Sequence, residues 1–317
     1  MRSSRLGRGG PAALAARHVR SMALGPSQTG HDLDSTAIRL WRVEAGSIAR
    51  TSASRVRGHR GYTRRGLVKI NRTYVLRSGL AKGLKKCGGL GLRQALRRGD
   101  DLSPEGAFLT NLSFAGQTIF DIGGADGIYT IFFASRAGPE GRVITFEPDR
   151  VNYENILVNV AINGFTNVVV RNVGVGKRPG QLEFVYPSDR GRGSAHSDLL
   201  EYYGEDPSAR RVTLPVTSVD AELRSSSDPA PAPDFVKIDV EGLELAVLEG
   251  MADTVRQIKP AIFVEIHGVG LEAKEANARR VVEWLHDRGY GILHIESGQT
   301  ITPGNPEVAR EGHLYGS

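Results

Sequence analysis

The feature that most constrains the fold is a regular alternation of short apolar runs with segments of helical spacing, which extends from about residue 100 to residue 317. The runs are rich in β-branched residues and nearly continuously apolar, as expected of strands that are covered on both faces. They are QTIFDI (117–122), RVITFEP (142–148), NVVVRNV (167–173), DFVKIDV (234–240) and AIFVEI (261–266). Such alternation is typical of a parallel sheet with right-handed crossovers. The sequence therefore predicts an α/β doubly wound domain.

Helices are predicted between these runs from the spacing of apolar residues. They cover Ile128–Ala137, Tyr153–Ile162, Leu243–Met251 and Ala273–Arg288. Ahead of the first strand, Ser103, Pro104 and Glu105 are typical of an N-cap, a first helical position and a first turn. A helix is therefore predicted from this point to about Leu112.

Two further strands interrupt the alternation, at 180–187 and 210–220, and they flank a polar loop at 188–210. A loop of this length in a compact domain is usually functional or mobile. Its residues Ser194 and His196 are candidates for a lid over a bound ligand, and a surface loop without such a role explains them equally well.

The positive charge of the chain is concentrated in its first 65 residues. Residues 1–65 contain thirteen Arg, no Lys and three acidic residues, a balance of +10, so residues 66–317 carry −4 of the overall +6. This Arg-rich segment has few large apolar residues and can hardly bury a core, which predicts a disordered extension. Its composition also fits an organelle transit peptide or a mis-assigned start. Residues 66–115 are predicted to form a basic cap segment, and residues 116–317 the main domain.

The cap segment contains basic residues that could bind an acidic partner or substrate, or could form a solvated surface. They are Lys82, Lys85, Lys86, Arg93, Arg97 and Arg98. The acidic balance of residues 66–317 gives no electrostatic footprint for nucleic acid, so no nucleic-acid partner is expected.

Two absences in the sequence bear on localisation. No apolar run approaches the roughly 20 residues that a transmembrane helix needs, so no transmembrane segment is predicted. The single cysteine, Cys87, excludes an intramolecular disulfide and a cysteine-based zinc site. We therefore expect a reducing compartment and a cytoplasmic protein.

The stretch FDIGGADGIYT (120–130) places a glycine turn between a predicted strand and a predicted helix, where backbone amides can face a ligand. In a dinucleotide fingerprint, G-x-G-x-x-G, the three glycine positions would be Gly123, Ala125 and Ile128, so two glycines are missing. Asp121 would also lie close to a bound pyrophosphate, and two like charges about 4 Å apart cost several kcal/mol at a partly buried site. An NAD(P)-dependent oxidoreductase is therefore disfavoured, and it is kept as the alternative enzyme class.

A positively charged ligand reverses this argument. S-adenosylmethionine (SAM) carries an ammonium and a sulfonium on an adenosine, and a carboxylate such as Asp121 can pair with its amino group. Glu147 ends the second strand, where acids accept hydrogen bonds from ribose hydroxyls in adenosine sites of this topology. Alternatively, Glu147 is only a favourable charge at the start of the helix that follows Pro148.

Four motifs in the right order resemble those of the FkbM family of SAM-dependent methyltransferases, over about residues 66–317. They are DIGGADGIYT, GRVITFEPD with the asparagines that follow it, DFVKIDVEGLELAVLEG, and PAIFVEIHG. The resemblance implies a class I methyltransferase (Rossmann-like) fold, with a mostly parallel seven-stranded sheet, helices on both faces and an antiparallel last strand. Ile292–Glu296 and Gly312–Tyr315 would be its closing pair.

The resemblance also implies SAM as cofactor and O-methylation of a hydroxyl on a sugar, glycoside, glycolipid or other secondary metabolite. The cofactor-binding residues that it implies are Asp121, Gly123 and Gly127 at the methionine end, Glu147 at the ribose, Asn172 or Val173 at the adenine edge, and Asp239 beside the transferred methyl.

The sequence departs from the family pattern within the glycine turn. Ala125 stands where the family usually has Asn, so the backbone can still approach the cofactor but one side-chain hydrogen bond is lost. We therefore expect weaker SAM binding. The next residue, Asp126, is expected to cap the helix that follows.

Acids and a histidine lie at the ends of two predicted strands, Asp239 and Glu241 on one and Glu265 and His267 on the other. Alternate residues of a strand share a face, and the carboxyl ends of parallel strands meet at one edge of the sheet. In one mechanism, His267 is the base that removes the hydroxyl proton, and an acid orients it. In the other, Asp239, Glu241 and Glu265 hold a Mg²⁺-type ion that lowers the hydroxyl pKa. We favour the metal-free mechanism, and we expect a structural ion pair for nearby Lys237.

A non-catalytic SAM-binding module is a third possibility. The pocket for a small-molecule, glycan-linked or lipid-linked acceptor is expected from segments 64–98, 188–210 and 267–275. None of these segments identifies the acceptor, and no feature of the sequence indicates an oligomeric state.

Overall fold

The computed structural model of the protein describes three stretches that belong to one compact unit, residues 67–317. The described stretches are residues 73–87, 102–186 and 209–317. Several sequence-based predictions fall outside them: the extension at residues 1–65, Arg93, Arg97 and Arg98 of the basic group, and Ser194 and His196 of the polar loop. Among the described helices, none has the length and apolar character that crossing a membrane requires.

The described residues form thirteen strands, seven α-helices and one 3₁₀ helix. The strands are β1 (Thr73–Val75), β2 (Lys85–Cys87), β3 (Thr118–Ile122), β4 (Arg142–Phe146), β5 (Val168–Arg171), β6 (Gly174–Val175), β7 (Gly180–Tyr186), β8 (Arg210–Thr217), β9 (Phe235–Ile238), β10 (Ala261–Glu265), β11 (Ile292–His294), β12 (Thr300–Ile301) and β13 (His313–Gly316). The helices are α1 (Pro104–Asn111), α2 (Ile128–Ala137), α3 (Arg150–Asn163), α4 (Val219–Leu223), α5 (Glu244–Glu249), α6 (Ala252–Gln257) and α7 (Gly270–His286), with the 3₁₀ helix at Pro306–Arg310.

The main sheet has the strand order β12-β11-β13-β10-β9-β3-β4-β5. Strands β10, β9, β3, β4 and β5 are parallel to one another, whereas β13 is antiparallel to both β10 and β11. This confirms the predicted class I methyltransferase topology, including the closing pair formed by β11 and β13. The eighth strand is the two-residue edge strand β12.

Helices cover both faces of this sheet, because alternate residues of each central strand point to opposite sides. One face presents Phe120, Ile144, Val236 and Ile262 to α5, α6 and α7. The opposite face presents Ile119, Val143, Phe235 and Phe263 to α1 and α2. Each fully buried side chain of this kind contributes about 1.5–3 kcal/mol through removal of apolar surface from water. The predicted strands therefore supply a core on each side of the sheet.

Two smaller sheets accompany the main one. Strands β7 and β8 are the two strands predicted around the polar loop, and they pair antiparallel in a three-stranded sheet with β6. Strands β1 and β2 form a hairpin whose β2 strand lies against α3. The side chains of Asn159 and Asn163 on α3 bind the backbone of Cys87 and Lys85, at 2.7 and 2.8 Å.

The predicted helices exist, with shifted ends where the capping residues differ from those expected. Helix α3 begins three residues earlier than predicted, because the Asp149 carboxylate accepts hydrogen bonds from the backbone N–H groups of Val151 and Asn152. The prediction that Asp126 caps α2 is wrong. The N-cap is Gly127, and the Asp126 carboxylate lies 3.1 Å from Lys86 Nζ of the hairpin.

Candidate active site

A cleft opens at the carboxyl ends of β3, β4 and β9, where the ligands of open α/β sheets bind. Its empty volume is about 640 Å³, including the opening to solvent. One wall is apolar and includes Phe146, Val175, Phe184, Tyr186 and Leu243. The polar lining includes Gly123, Ala125, Glu147, Asp239 and Glu241.

The glycine turn lies where β3, β9 and α2 meet, and it has space only for backbone. Gly123 has φ +82°, and a Cβ atom there would lie 1.8 Å from the backbone oxygen of Asp239. Ala125 also has a positive φ, of 46°, which is uncommon for a residue with a side chain. Gly127 packs against Ile156 of α3 and does not line the cleft, although it was predicted at the methionine end of the cofactor.

Glu147 is a buried carboxylate on the cleft wall. It accepts hydrogen bonds from the backbone N–H groups of Ala125 and Asp149, both at 2.8 Å. Burial raises the pKa of Glu147 to about 7, although these hydrogen bonds act in the opposite direction. A carboxyl with this pKa is only partly ionised near neutral pH.

Asp121 faces the interior. It pairs in register with Thr145 and Lys237, is fully buried, and accepts a 2.6 Å hydrogen bond from Thr130 Oγ1. Its other oxygen lies 3.4 Å from Nζ of Lys237, which also lies 3.2 Å from Asp239 Oδ2. Burial opposes the charge of Lys237, but Asp239 and Asp121 outweigh it and raise its pKa. The structure thus confirms the ion pair expected for Lys237 and puts Asp239, not Asp121, on the cleft wall.

The residues predicted at the adenine edge also lie behind the wall. Asn172 Nδ2 donates to the backbone oxygens of Glu147 and Pro148, at 2.9 and 3.0 Å, and Val173 packs against the apolar core. The cleft is lined two residues further along, by Gly174 and Val175.

The sequence-based reading missed Phe184 and Tyr186 of β7, which the hairpin with β8 brings to the cleft. Their spacing of two residues put them on one face of the predicted strand, but no local signal indicated that this face covers a cleft.

Four carboxylates surround the imidazole of His267, and we call this group the acidic rim. Nδ1 lies 2.9 Å from Glu244 Oε1, whereas Nε2 lies 3.5 Å from Glu265 Oε1 and 3.8 Å from both Asp239 Oδ1 and Glu241 Oε2. The structure therefore brings together all four residues predicted to be catalytic. It adds Glu244, which lies 23 positions before His267 in the sequence. Sequence reasoning missed this residue because no local pattern indicates a contact over that separation.

Glu244 is buried at the start of α5 and is held from several sides. It accepts hydrogen bonds from the backbone N–H of Gly242 at 2.9 Å and from Asn277 Nδ2 at 2.7 Å. Because Glu244 accepts from Nδ1 of His267, the imidazole has a fixed orientation with Nε2 toward the other three carboxylates.

The acidic rim favours a positive charge on His267. Burial alone would lower the pKa of His267, but hydrogen bonds to Glu244 and Glu265 and the negative charges nearby outweigh burial and raise it to about 11. This direction favours the imidazolium, which has no lone pair to accept a proton, and so speaks against His267 as the base. The general-base role of His267 stays a prediction.

The rim continues into a second histidine–carboxylate group. Glu265 Oε2 lies 3.5 Å from His313 Nε2, and His313 Nδ1 lies 2.7 Å from Glu296 Oε1. Burial would lower the pKa of His313, but its hydrogen bonds to Glu265 and Glu296 raise it to about 9. Both oxygens of Glu265 thus face an imidazole.

Several known proteins are similar to this chain. The family model described as "Methyltransferase FkbM domain" matches residues 121–292. The methyltransferase sdnD of Sordaria araneosa is 26% identical over 200 residues, which are 55% of this chain and 73% of that protein. The hexuronic acid methyltransferase AglP of Haloferax volcanii is 25% identical over 159 residues, which are 50% of this chain and 59% of that protein.

Among solved structures, an FkbM methyltransferase from Methylobacillus flagellatus is similar over 68% of this chain and 50% of that chain, with 19% identity and a TM-score of 0.41. The chain therefore spans less than two thirds of AglP and half of the solved protein. The family match covers more than half of this chain and encloses the glycine turn, Glu147, Asp239 and His267. The protein belongs to the FkbM family of methyltransferases.

Proposed function

We propose that the protein transfers the methyl group of SAM to a hydroxyl oxygen of a small-molecule or glycan- or lipid-linked acceptor, on a sugar, glycoside, glycolipid or other secondary metabolite. The family membership supports methyl transfer with SAM and speaks against the NAD(P) oxidoreductase. The name of the Haloferax volcanii relative, a hexuronic acid methyltransferase, supports a sugar-type acceptor.

The observation that carries this proposal is a cleft with one apolar wall and four acids in its lining, Glu147, Asp149, Asp239 and Glu241. An acid at the position of Glu147 accepts from the ribose of either ligand. At Asp239, a pyrophosphate would meet like charge, whereas the cationic tail of SAM would meet opposite charge. The residues of the cleft therefore fit SAM, with its adenine against Phe184 and Tyr186.

We assign the cofactor contacts accordingly. Glu147 accepts hydrogen bonds from the ribose, and Asp239 faces the ammonium group. Gly123 and Ala125 give the backbone close access to the ligand. Asp121 acts indirectly, because it holds Lys237, whose ammonium in turn holds Asp239.

When bound, SAM would supply a methyl group on its sulfonium: the hydroxyl oxygen would bond to the methyl carbon as the carbon–sulfur bond breaks, and the electron pair of that bond would stay on sulfur. The chain must align this hydroxyl, which supplies several kcal/mol, and accept its proton. Glu241 is our candidate base because it lines the cleft beside Asp239. Its backbone φ of 52° is strained for a side chain of this size, as is common where a residue is held for function. We assign Glu265 and His267 to the part of the acidic rim that faces the acceptor.

The first test is binding of SAM and S-adenosylhomocysteine, measured by calorimetry on the full chain in EDTA. We expect Glu147→Gln and Asp239→Asn to weaken binding by about tenfold to a hundredfold, since each removes charge-assisted interactions of roughly 1.5–3 kcal/mol. Glu154→Gln, an exposed acid on α3, is the matched control and should bind normally. No binding by the unaltered protein, or binding of NAD(P) in its place, would overturn the proposal.

The second test is a transfer screen with SAM that carries a deuterated methyl group, against glycosides, polyketides and cell-envelope lipids. Mass spectrometry should find the label on an acceptor oxygen. If SAM binds and no acceptor is labelled, a non-catalytic SAM-binding module is the better description.

A further inference from the structure

Three atoms of the acidic rim converge beside the cleft: His267 Nε2, Asp239 Oδ1 and Glu265 Oε1. Nε2 lies 3.8 Å from the Asp239 atom and 3.5 Å from the Glu265 atom. One ligand atom from each of the three residues lies within 4.8 Å of the others. These separations are too long for strong hydrogen bonds. Two ligands at about 2.1 Å from one ion, however, are about 3.4 Å apart in a tetrahedral arrangement.

Each of the three side chains is also held at its other polar atom. His267 Nδ1 lies against buried Glu244 at 2.9 Å, Asp239 Oδ2 lies 3.2 Å from Lys237 Nζ, and Glu265 Oε2 lies 3.5 Å from His313 Nε2. Metal-binding histidines are usually held in this way, with the remote ring nitrogen donating to a carboxylate. The outer partners thus orient the three inner atoms toward one point.

We propose that His267, Asp239 and Glu265 bind a first-row divalent cation at the edge of the cleft. An imidazole nitrogen with two carboxylate oxygens suits Mn²⁺, Fe²⁺ or Zn²⁺ better than Mg²⁺, which prefers an all-oxygen environment. The donor set therefore differs from the all-carboxylate Mg²⁺ site considered from the sequence. The cation takes the place of the Nε2 proton and offsets the negative charge of the rim.

Its role in catalysis rests on the proposed function. Asp239 and Glu241 both line the cleft. A cation bound by Asp239 is therefore next to the cleft that the candidate base Glu241 lines. A hydroxyl that binds such a cation loses its proton more easily. The acceptor hydroxyl would bind the cation, and Glu241 would receive the proton.

The test is a titration of the EDTA-dialysed full chain with Mn²⁺. The free ion is measured at each step by electron paramagnetic resonance. We expect one Mn²⁺ per chain for the unaltered protein, and at least a tenfold loss of affinity in both His267→Gln and Glu265→Gln. Glu244→Gln, which alters only the positioning partner, should weaken binding by about 10–100-fold. The matched control is Glu105→Gln, which belongs to the other candidate group, Glu105, Glu296 and His313, and should keep its affinity.

Pulsed resonance of the bound Mn²⁺ provides a direct signature of the imidazole. The spectrum should show coupling to a nitrogen nucleus, and Glu105→Gln should show it too, whereas His267→Gln should not. Circular dichroism checks whether each variant folds. If His267→Gln does not fold, Glu265→Gln still decides the outcome. Absence of Mn²⁺ binding, bound Mn²⁺ without nitrogen coupling, or a loss confined to Glu105→Gln would overturn the site. SAM binding in EDTA is measured separately, so failure of the metal site and failure of the proposed function are distinguishable.

Discussion

The two parts of the cleft treat buried charge differently. Around the glycine turn, each carboxylate has nearby donors: Asp121 has Thr130 and Lys237, and Glu147 has two backbone N–H groups. In the acidic rim, four carboxylates lie around a single imidazole.

This difference indicates a division of labour. The turn gives its buried carboxylates a hydrogen bond or an ion-pair partner inside the protein, as a rigid scaffold for the proposed cofactor site requires. The rim keeps an excess of negative charge beside an open cleft, a costly arrangement that is usually found where charge is used in binding or catalysis. We therefore expect loss of the candidate base in the rim to affect chemistry, and loss of the close backbone approach in the turn to affect folding.

The largest effect is expected from Glu241→Gln in the rim. Loss of the candidate base should lower the rate of methyl transfer by about 10²–10⁴-fold. Stability should change by no more than about 0.5 kcal/mol, because the side chain is partly exposed at the cleft. Single-turnover rates and urea unfolding measure the two quantities, with Glu154→Gln as control. A large loss of stability with an unchanged rate would remove the division between rim and turn.

A smaller but reciprocal effect is expected from Gly123→Ala in the turn. The new Cβ would meet the Asp239 backbone oxygen, and the positive φ adds its own strain. Together these should lower the free energy of unfolding by about 2–5 kcal/mol. Gly164→Ala is the matched control, because Gly164 has φ +72° in the left-handed helical region with no atom within 4 Å of the added Cβ. It should cost only about 1–2 kcal/mol. Equal losses in the two variants would show that the close approach at the turn is unimportant.

The smallest effect is a pH dependence that arises from Glu147. Its pKa is raised from 4.5 to about 7, so its contribution to stability is fully present below pH 4.5 and is lost as the pH rises through 7. Ribose binding needs the ionised form, whose fraction rises about tenfold between pH 6 and pH 8. SAM affinity measured by calorimetry should rise by a similar factor. Glu147→Gln should show no such rise, and a slope that survives in this variant would exclude Glu147 as its origin.

The sequence was sufficient to predict the fold, because apolar periodicity and the motif order define the strands and the class I topology. It also grouped Asp239, Glu241, Glu265 and His267 correctly, since strand ends of a parallel sheet share an edge. Several details depended on tertiary contacts that no local pattern reveals.

The direction of Asp121 is one such detail. Its side chain lies on the same side of β3 as Ile119, facing α2, and the alternation of the strand does not say which face opens into the cleft. Glu244 is another, because its partners His267 and Asn277 come from β10 and α7 regions far along the chain. The raised pKa of His267 depends on all of these neighbours together, whereas the residue type alone suggested a neutral base.

The β1–β2 hairpin limits how far this protein can be truncated from its N-terminus. Lys86 and the two asparagines of α3 fasten the hairpin beside Asp126, so the start of the compact unit supports the turn that follows the first strand of the sheet. A shortened chain for crystallisation should therefore begin before Thr73, since a chain that begins at residue 102 would lose this brace.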